Sequence, residues 1–257
     1  MSERRLWVLK PGTISYADGL ALQAEIADAR RSDSVPDVLL LLEHWPVYTK
    51  GRRTEASELG MGEDWYRMQG IEVCEADRGG GVTYHGPGQL VGYPIIDLAH
   101  YDSDVRAHVA RIEQTMLAAL RDHSVPAQVF EGLTGVWTAG EPPIPSGEPG
   151  PQKQAVGAAA LPGGEARKIG SIGIHVSRGI TTHGLAINVN NDLQPFEWIV
   201  PCGIEAVRMS SLAREHGAEQ DLDAFAETIV GRFGEIYGLA PAPVGIDAIR
   251  AASRRPG

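Results

Sequence analysis

A thiol and an ammonium stand out first in this chain of 257 residues. Cys202 lies in IVPCGI, residues 199–204, with a proline before it and a glycine after. Apolar residues flank that turn, so the thiol would be presented at a bend beside a dry pocket. Lys168 opens KIGSIGIHV, a strand pattern with glycines at 170 and 173. Sulfur attacks as the thiolate, and a cysteine of pKa ~8.5 needs a positive neighbour or a base to form one. Lys168, His85, His175 and His183 could serve. Taken singly, Cys202 is a thiol in a turn and Lys168 an ordinary surface cation, and spacing alone leaves both readings open. Cys74, within IEVCEA, reads as a small apolar residue of a strand.

RGGGVTYHGPGQ, residues 78–89, raises a different question, because five of its twelve residues are glycine. Such a run is either a flexible turn or a backbone wall against which something lies. It matches neither the dinucleotide pattern G-x-G-x-x-G nor the P-loop. The histidines lack metal-ligand spacing, so no metal site is expected. The G-x-S-x-G elbow of serine hydrolases is absent too.

The elements that would position these residues can be read from periodicity. A first helix is expected near residues 17–31, with Leu20, Ala24 and Ala27 on one face. The run Val38-Leu39-Leu40-Leu41-Leu42 after Pro36 reads as a buried strand. Further strands are expected at 71–76, 91–97, 134–138, 169–176 and 184–189. Val105, Val109, Ile112, Met116 and Leu120 predict an amphipathic helix with Ser103 as its N-cap. Leu222, Ala226, Ile229 and Phe233 predict a last helix, closed by Gly238. Strand and helix signals mix without strict alternation, which predicts a single α/β domain around a mixed sheet. Residues 139–165, rich in proline and glycine, read as a long disordered loop. Residues 241–257 read as a tail beyond a catalytic domain of residues 1–240, frayed after Ile249.

Bulk properties bound the rest. Apolar residues make up 43% of the chain, enough to build a core. No apolar run approaches the ~18 residues of a membrane span. MSERRLWVLKPG has no apolar stretch behind its charges, so a secretory leader is not expected. A net charge of −10 argues against nucleic acid as the main partner. Two distant cysteines exclude a disulfide framework. These features together point to the cytoplasm.

The segments EHWPVYTKGRR, RGGGVTYHGPGQLVGYPIIDL, GVW, RKIGSIGIHVSRGITTHGLAINV and IVPCGI occur in the order and approximate spacing of the octanoyltransferases of lipoate synthesis. The chain resembles that family from about residue 6 to 238. The resemblance implies an α+β fold similar to the catalytic domain of biotin and lipoate protein ligases. It implies transfer of an octanoyl group from the thioester of acyl carrier protein to a lysine ε-amine. The acceptors would be lipoyl domains of 2-oxoacid dehydrogenase complexes and the glycine cleavage H protein. It assigns Cys202 as the acyl-carrying nucleophile and Lys168 as its partner. It assigns the acyl pocket to Arg78, Gly79, Gly80, Gly81, Val82, Thr83, Tyr84 and His85, with Ser171, Ile172 and Gly173, and with Gly184, Leu185 and Ala186. No cofactor is implied, and a monomer is expected. Trp45 stands where a small residue or proline is usual, and His175 where arginine is.

Resemblance and backbone chemistry converge on the opening stretch. Its glycines could wall a narrow acyl tunnel, and their N–H groups could polarise a thioester carbonyl. Tyr84 and His85 would be wall or orienting groups, and Thr83 and Arg78 would hold the loop. Lys50, Arg52, Arg53 and Arg178 could give acidic partners a positive rim. An ATP-dependent lipoate or biotin ligase on the same fold is the alternative enzyme, and a non-catalytic acyl-binding scaffold the alternative outside catalysis.

Overall fold

A computed structural model describes residues 4–101, 103–141, 165–200 and 207–254. The chain runs β1 (Arg4–Ile14), α1 (Tyr16–Arg31), β2 (Asp37–His44), β3 (Val47–Lys50), α2 (Glu63–Met68), β4 (Glu72–Glu75), β5 (Val82–His85) and β6 (Gln89–Ile95). It continues α3 (Val105–Asp122), β7 (Ala127–Phe130), β8 (Leu133–Thr138), β9 (Lys168–Ser177), β10 (Ile180–Asn188), α4 (Leu212–His216), α5 (Leu222–Tyr237), β11 (Leu239–Pro243) and α6 (Ile246–Ser253).

Eight strands form the large sheet, in the order β11-β1-β2-β6-β10-β9-β8-β7. Its first two pairings are parallel and the others antiparallel, so the sheet is mixed, as the sequence predicts. A second sheet of three strands, β4-β3-β5, was not anticipated. Its strands have four residues each, too few to show a clear period.

The apolar run of β2 is central, and period-two geometry divides it between two cores. Leu39 and Leu41 join the cluster that holds Ile112, Met116 and Leu120 of α3 with Phe225, Ile229 and Phe233 of α5. Val38, Leu40 and Leu42 face the cluster of Ile26, Ala27 and Ile249.

Several boundaries differ from expectation for identifiable reasons. Ala24 is exposed, and α1 instead buries Gly19, Gln23, Ile26, Ala27 and Arg30. Two long polar side chains sit inward because each finds a partner. Arg30 Nε donates to Asp37 Oδ1 at 2.8 Å, and Asp37 also accepts from Arg4 and from the Tyr101 hydroxyl. The N-cap of α3 is Asp104 rather than Ser103, because its carboxylate accepts the Arg106 and Ala107 amides. Gly238 closes α5 in the left-handed region, as expected.

The stretch set apart as a tail is built into the fold. β11 pairs in parallel with β1, and α6 buries Ile249 completely. The prolines of LAPAP hid this strand, since proline is confined to positions that need no ladder N–H, and β11 is an edge strand. At the proline-rich loop the two ends meet: the Ala166 amide donates to Glu141 O at 2.8 Å. Residues 142–164, on which the expectation of disorder mainly falls, lie outside the described residues.

Ile249→Ala should therefore lower the unfolding free energy by about 2–5 kcal/mol, the usual cost of a buried aliphatic truncation. Urea denaturation checks this, and a change within experimental error would restore the tail reading.

Candidate active site

β9 and the glycine-rich stretch touch backbone to backbone. The Gly79 amide donates to Ile174 O at 3.0 Å, and a Cβ on Gly173 would lie 3.0 Å from Gly79 O. A side chain there would press on that backbone oxygen and on Arg78, so glycine is favoured. Gly79, Gly80, Ile172 and Gly173 line an inner pocket of about 40 Å³ and also an outer cleft of about 810 Å³. They form the throat between the two.

Arg78 is buried and spends its guanidinium on the loop itself. Nη1 donates to Gly79 O at 3.0 Å and Gly81 O at 2.9 Å, and Nη2 to Thr49 O at 2.6 Å. Thr83 and His85 face the inner pocket, as alternation along β5 requires. Val82 and Tyr84 point the opposite way, into an aromatic cluster with Tyr48, Tyr66 and Phe196. Gly81 lines the outer cleft. Ser171, Ile172, Gly173, Gly184, Leu185 and Ala186 all line the inner pocket. The structure thus brings together Arg78, Gly79, Gly80, Thr83, His85 and these β9–β10 residues, and leaves Val82 and Tyr84 behind the wall. The oxyanion role expected of the glycine amides does not extend to Gly79, whose N–H is committed to β9.

Sequence reasoning missed the far end of this pocket. Tyr16 from the start of α1 and Tyr93 from β6 line it, and His44 lies behind them. Polar aromatic residues in otherwise apolar strands, as at His44 and Tyr93, were the available signal. Hydrogen bonds fix the imidazole tautomers. Gln89 Nε2 donates to Tyr84 O and Asn188 Oδ1, so its Oε1 must accept the Nδ1 proton of His85 at 2.6 Å. His44 Nδ1 donates to Ile14 O at 3.1 Å and its Nε2 accepts from the Tyr93 hydroxyl at 2.8 Å. His183 has a φ of 57°, and its amide donates to Gln23 Oε1 at 2.6 Å.

All three histidines are held neutral. Burial pushes His85 down to about 3, with His44 adding to the effect. Burial also pushes His44 and His183 down to about 4, and Arg78 contributes at His183. So weak a base as His85 does not suit proton abstraction near neutrality, and its geometry is that of a wall group.

Lys168 lies at the other end, 5% exposed in the outer cleft. Its Nζ is 5.3 Å from the centroid of the Trp137 ring. No histidine lines that cleft among the described residues. The Lys168 amide donates to Arg208 O at 2.8 Å, and Lys168 O accepts from Ser210 at 2.9 Å. Cys202 falls in residues 201–206, outside the described residues. Before that segment Val200 lines the cleft, and shortly after it the Arg208 carbonyl accepts the Lys168 amide. Cys74, the other thiol, is half-buried in β4, and burial with Glu72 pushes it up to about 11. That disfavours a thiolate and agrees with a packing role.

Two of the four cations of the expected basic rim are paired. Lys50 pairs with Glu63 and Glu75, and Arg52 with Asp77 and His175. Arg53 remains at the cleft. Trp45, the departure in EHWPVYT, is an exposed side chain in the β2–β3 turn.

Residues 15–234 match the lipoyl protein ligase A/B catalytic domain. An octanoyltransferase from Acidobacterium capsulatum is 40% identical over 242 residues, covering 90% of this chain and 89% of its own. One from Rubrobacter xylanophilus is 41% identical over 230 residues, covering 89% of this chain and 91% of its own. The chain belongs to the octanoyltransferase family. Membership makes it an acyltransferase. Among solved structures, a bipartite lipoate protein ligase from Thermoplasma acidophilum superposes with a TM-score of 0.66 at 17% identity, covering 99% of this chain and 91% of that one. Lipoate-protein ligase A bound with ATP gives 0.61 at 17% identity, covering 98% and 93%. These two establish the shared fold.

The neutral histidines set a pH dependence. The unfolded chain binds their protons near pH 6.5, whereas the folded chain does so only near 3 to 4. Their contribution to stability is complete above about pH 6.5 and is lost as pH falls through that interval. His183→Asn keeps a side chain that tolerates positive φ and removes one such group. Its loss of unfolding free energy between pH 7 and pH 5 should be smaller than the parent's by on the order of 1–2 kcal/mol. Equal losses in urea titrations would show that His183 is not held neutral.

Proposed function

We propose that this octanoyltransferase-family protein moves an octanoyl group from octanoyl-acyl carrier protein to the lysine of a lipoyl domain, through a thioester on Cys202. The acceptors we assign are the lipoyl domains of 2-oxoacid dehydrogenase complexes and the glycine cleavage H protein. The observation that carries this reading is the throat of shared wall residues, which joins an inner pocket to a cleft holding a buried lysine.

To take the eight-carbon chain against Ile172, Leu185 and Ala186, the inner pocket must widen beyond its volume of about 40 Å³, which sets the acyl carbonyl at the throat. The nucleophile we assign is the thiol of Cys202. Its thiolate attacks the octanoyl thioester, the pantetheine thiolate departs and takes up a proton, and the acyl group rests on Cys202. The acceptor lysine amine then attacks this second thioester. An amide forms, the Cys202 thiolate leaves, and the amine gives up a proton.

Lys168 suits the two tasks that remain. As the ammonium it stabilises the thiolate, and as the amine it can take the proton released at amide formation. Thioester exchange is nearly isoenergetic, and the amide draws the sequence forward. The donor is already activated, so the scheme needs no ATP.

Intact mass after incubation with octanoyl-acyl carrier protein, without ATP, tests the reading. The parent and Cys74→Ser should gain one octanoyl group, and Cys202→Ser none. A strict ATP requirement, or an adduct retained in Cys202→Ser, would overturn the scheme. Lys168→Met should raise the pH midpoint of iodoacetamide labelling at Cys202, since the thiolate loses its cationic neighbour. Lys168→Arg should recover part of that shift yet turn over slowly, because guanidinium does not release a proton in this range. A methionine variant that titrates like the parent would remove Lys168 from the activation step.

A further inference from the structure

We propose that Glu113 positions Lys168, acting through the backbone of Gly135. The functional part of this proposal rests on the role given to Lys168 above; the placement itself rests on geometry. Glu113 lies on the face of α3 that also carries Val109, which lines the outer cleft, and Met116, whose methyl occupies the space beside Gly170. The steps of four and three set these side chains over β8 and the start of β9.

The Glu113 carboxylate accepts the Gly135 amide at 3.0 Å. Gly135 has a φ of 112°, a conformation that L residues avoid. A Cβ at this position would lie 2.9 Å from Lys168 Cε and 2.5 Å from Gly170 O. The lysine stem therefore runs across a bare peptide unit, and its ammonium ends over the Trp137 ring. The bond from Glu113 opposes rotation of that peptide into the stem's path. Burial raises the carboxyl's own pKa, while the Gly135 amide and the Lys168 charge lower it, so acid and lysine also sense each other.

A hydrogen-bond role and a charge role separate cleanly, because glutamine can accept the same amide. The measurements are kcat and KM for amide formation and the indole N–H resonance of Trp137, whose ring lies beneath the ammonium. Glu113→Gln should keep kcat within about threefold and leave the resonance in place. Glu113→Leu, which keeps the bulk and loses the acceptor, should lose kcat on the order of 10–100-fold, the scale of an ångström-sized misplacement, with KM little changed. Its Trp137 resonance should move. On a Lys168→Met background, Glu113→Leu should cost nothing further, because its effect passes through the lysine.

Equal losses in Glu113→Gln and Glu113→Leu would overturn the proposal, and so would a full additional loss on the Lys168→Met background. If Lys168→Met itself turns over like the parent, the catalytic reading of Lys168 fails and the indole resonance alone decides the placement. Movement in the leucine variant and none in the glutamine variant supports it; movement in neither overturns it.

Discussion

One buried guanidinium organises the site. Arg78 sits where the small sheet meets the large one, and its donors reach Thr49 on β3 and the carbonyls of Gly79 and Gly81. That fork fixes a stretch whose glycines would otherwise carry a large entropy cost on folding. With the loop fixed, the Gly79 amide can reach Ile174, and the throat exists. A lysine could not take this place, since an ammonium on a flexible stem offers no planar set of donors. The same charge helps to hold His85 and His183 neutral, so the group that shapes the pocket also sets its electrostatics.

Separation of charge follows from that arrangement. The inner end holds neutral imidazoles and hydroxyls in mutual ring contact, among them Tyr16 with His44 at 5.2 Å and with His85 at 6.3 Å. The open end holds the lysine, with Glu55 and Glu58 on the same cleft. An acyl chain placed through the throat would meet neutral imidazoles and hydroxyls, with Arg78 as the one charged group among the described residues of that lining, while its carbonyl would meet the ionic chemistry of the cleft. Burial enforces this division, because desolvation is the first cause of each histidine's shift.

Much of this was legible from residue types, and the misses have physical causes. The β2 run and the helix that became α3 announced themselves because apolar periodicity is a local property. The face of α1 was misjudged because Gln23 and Arg30 are buried on account of partners 160 and 7 residues away, which no periodicity encodes. Val82 and Tyr84 were grouped with the pocket because they adjoin its residues in sequence, yet strand alternation turns them to the opposite face. Lys168 was singled out by the glycines that follow it. Glu113 was not, because it reads as one more polar position on an amphipathic helix until Gly135 is folded against it.

The outer edge of the large sheet has a property of its own. Just past β11 the Val244 amide bonds to Val8 O, so the β11 residues in phase with it, 240 and 242, also turn their amides toward β1. Leu239, Pro241 and Pro243 share the opposite phase and turn their nitrogens outward, and the two prolines have no proton to give. A further strand laid along this edge would find carbonyls but no donors at those two positions. Two prolines thus strip most of this short edge of its donors, which works against strand-to-strand self-association there.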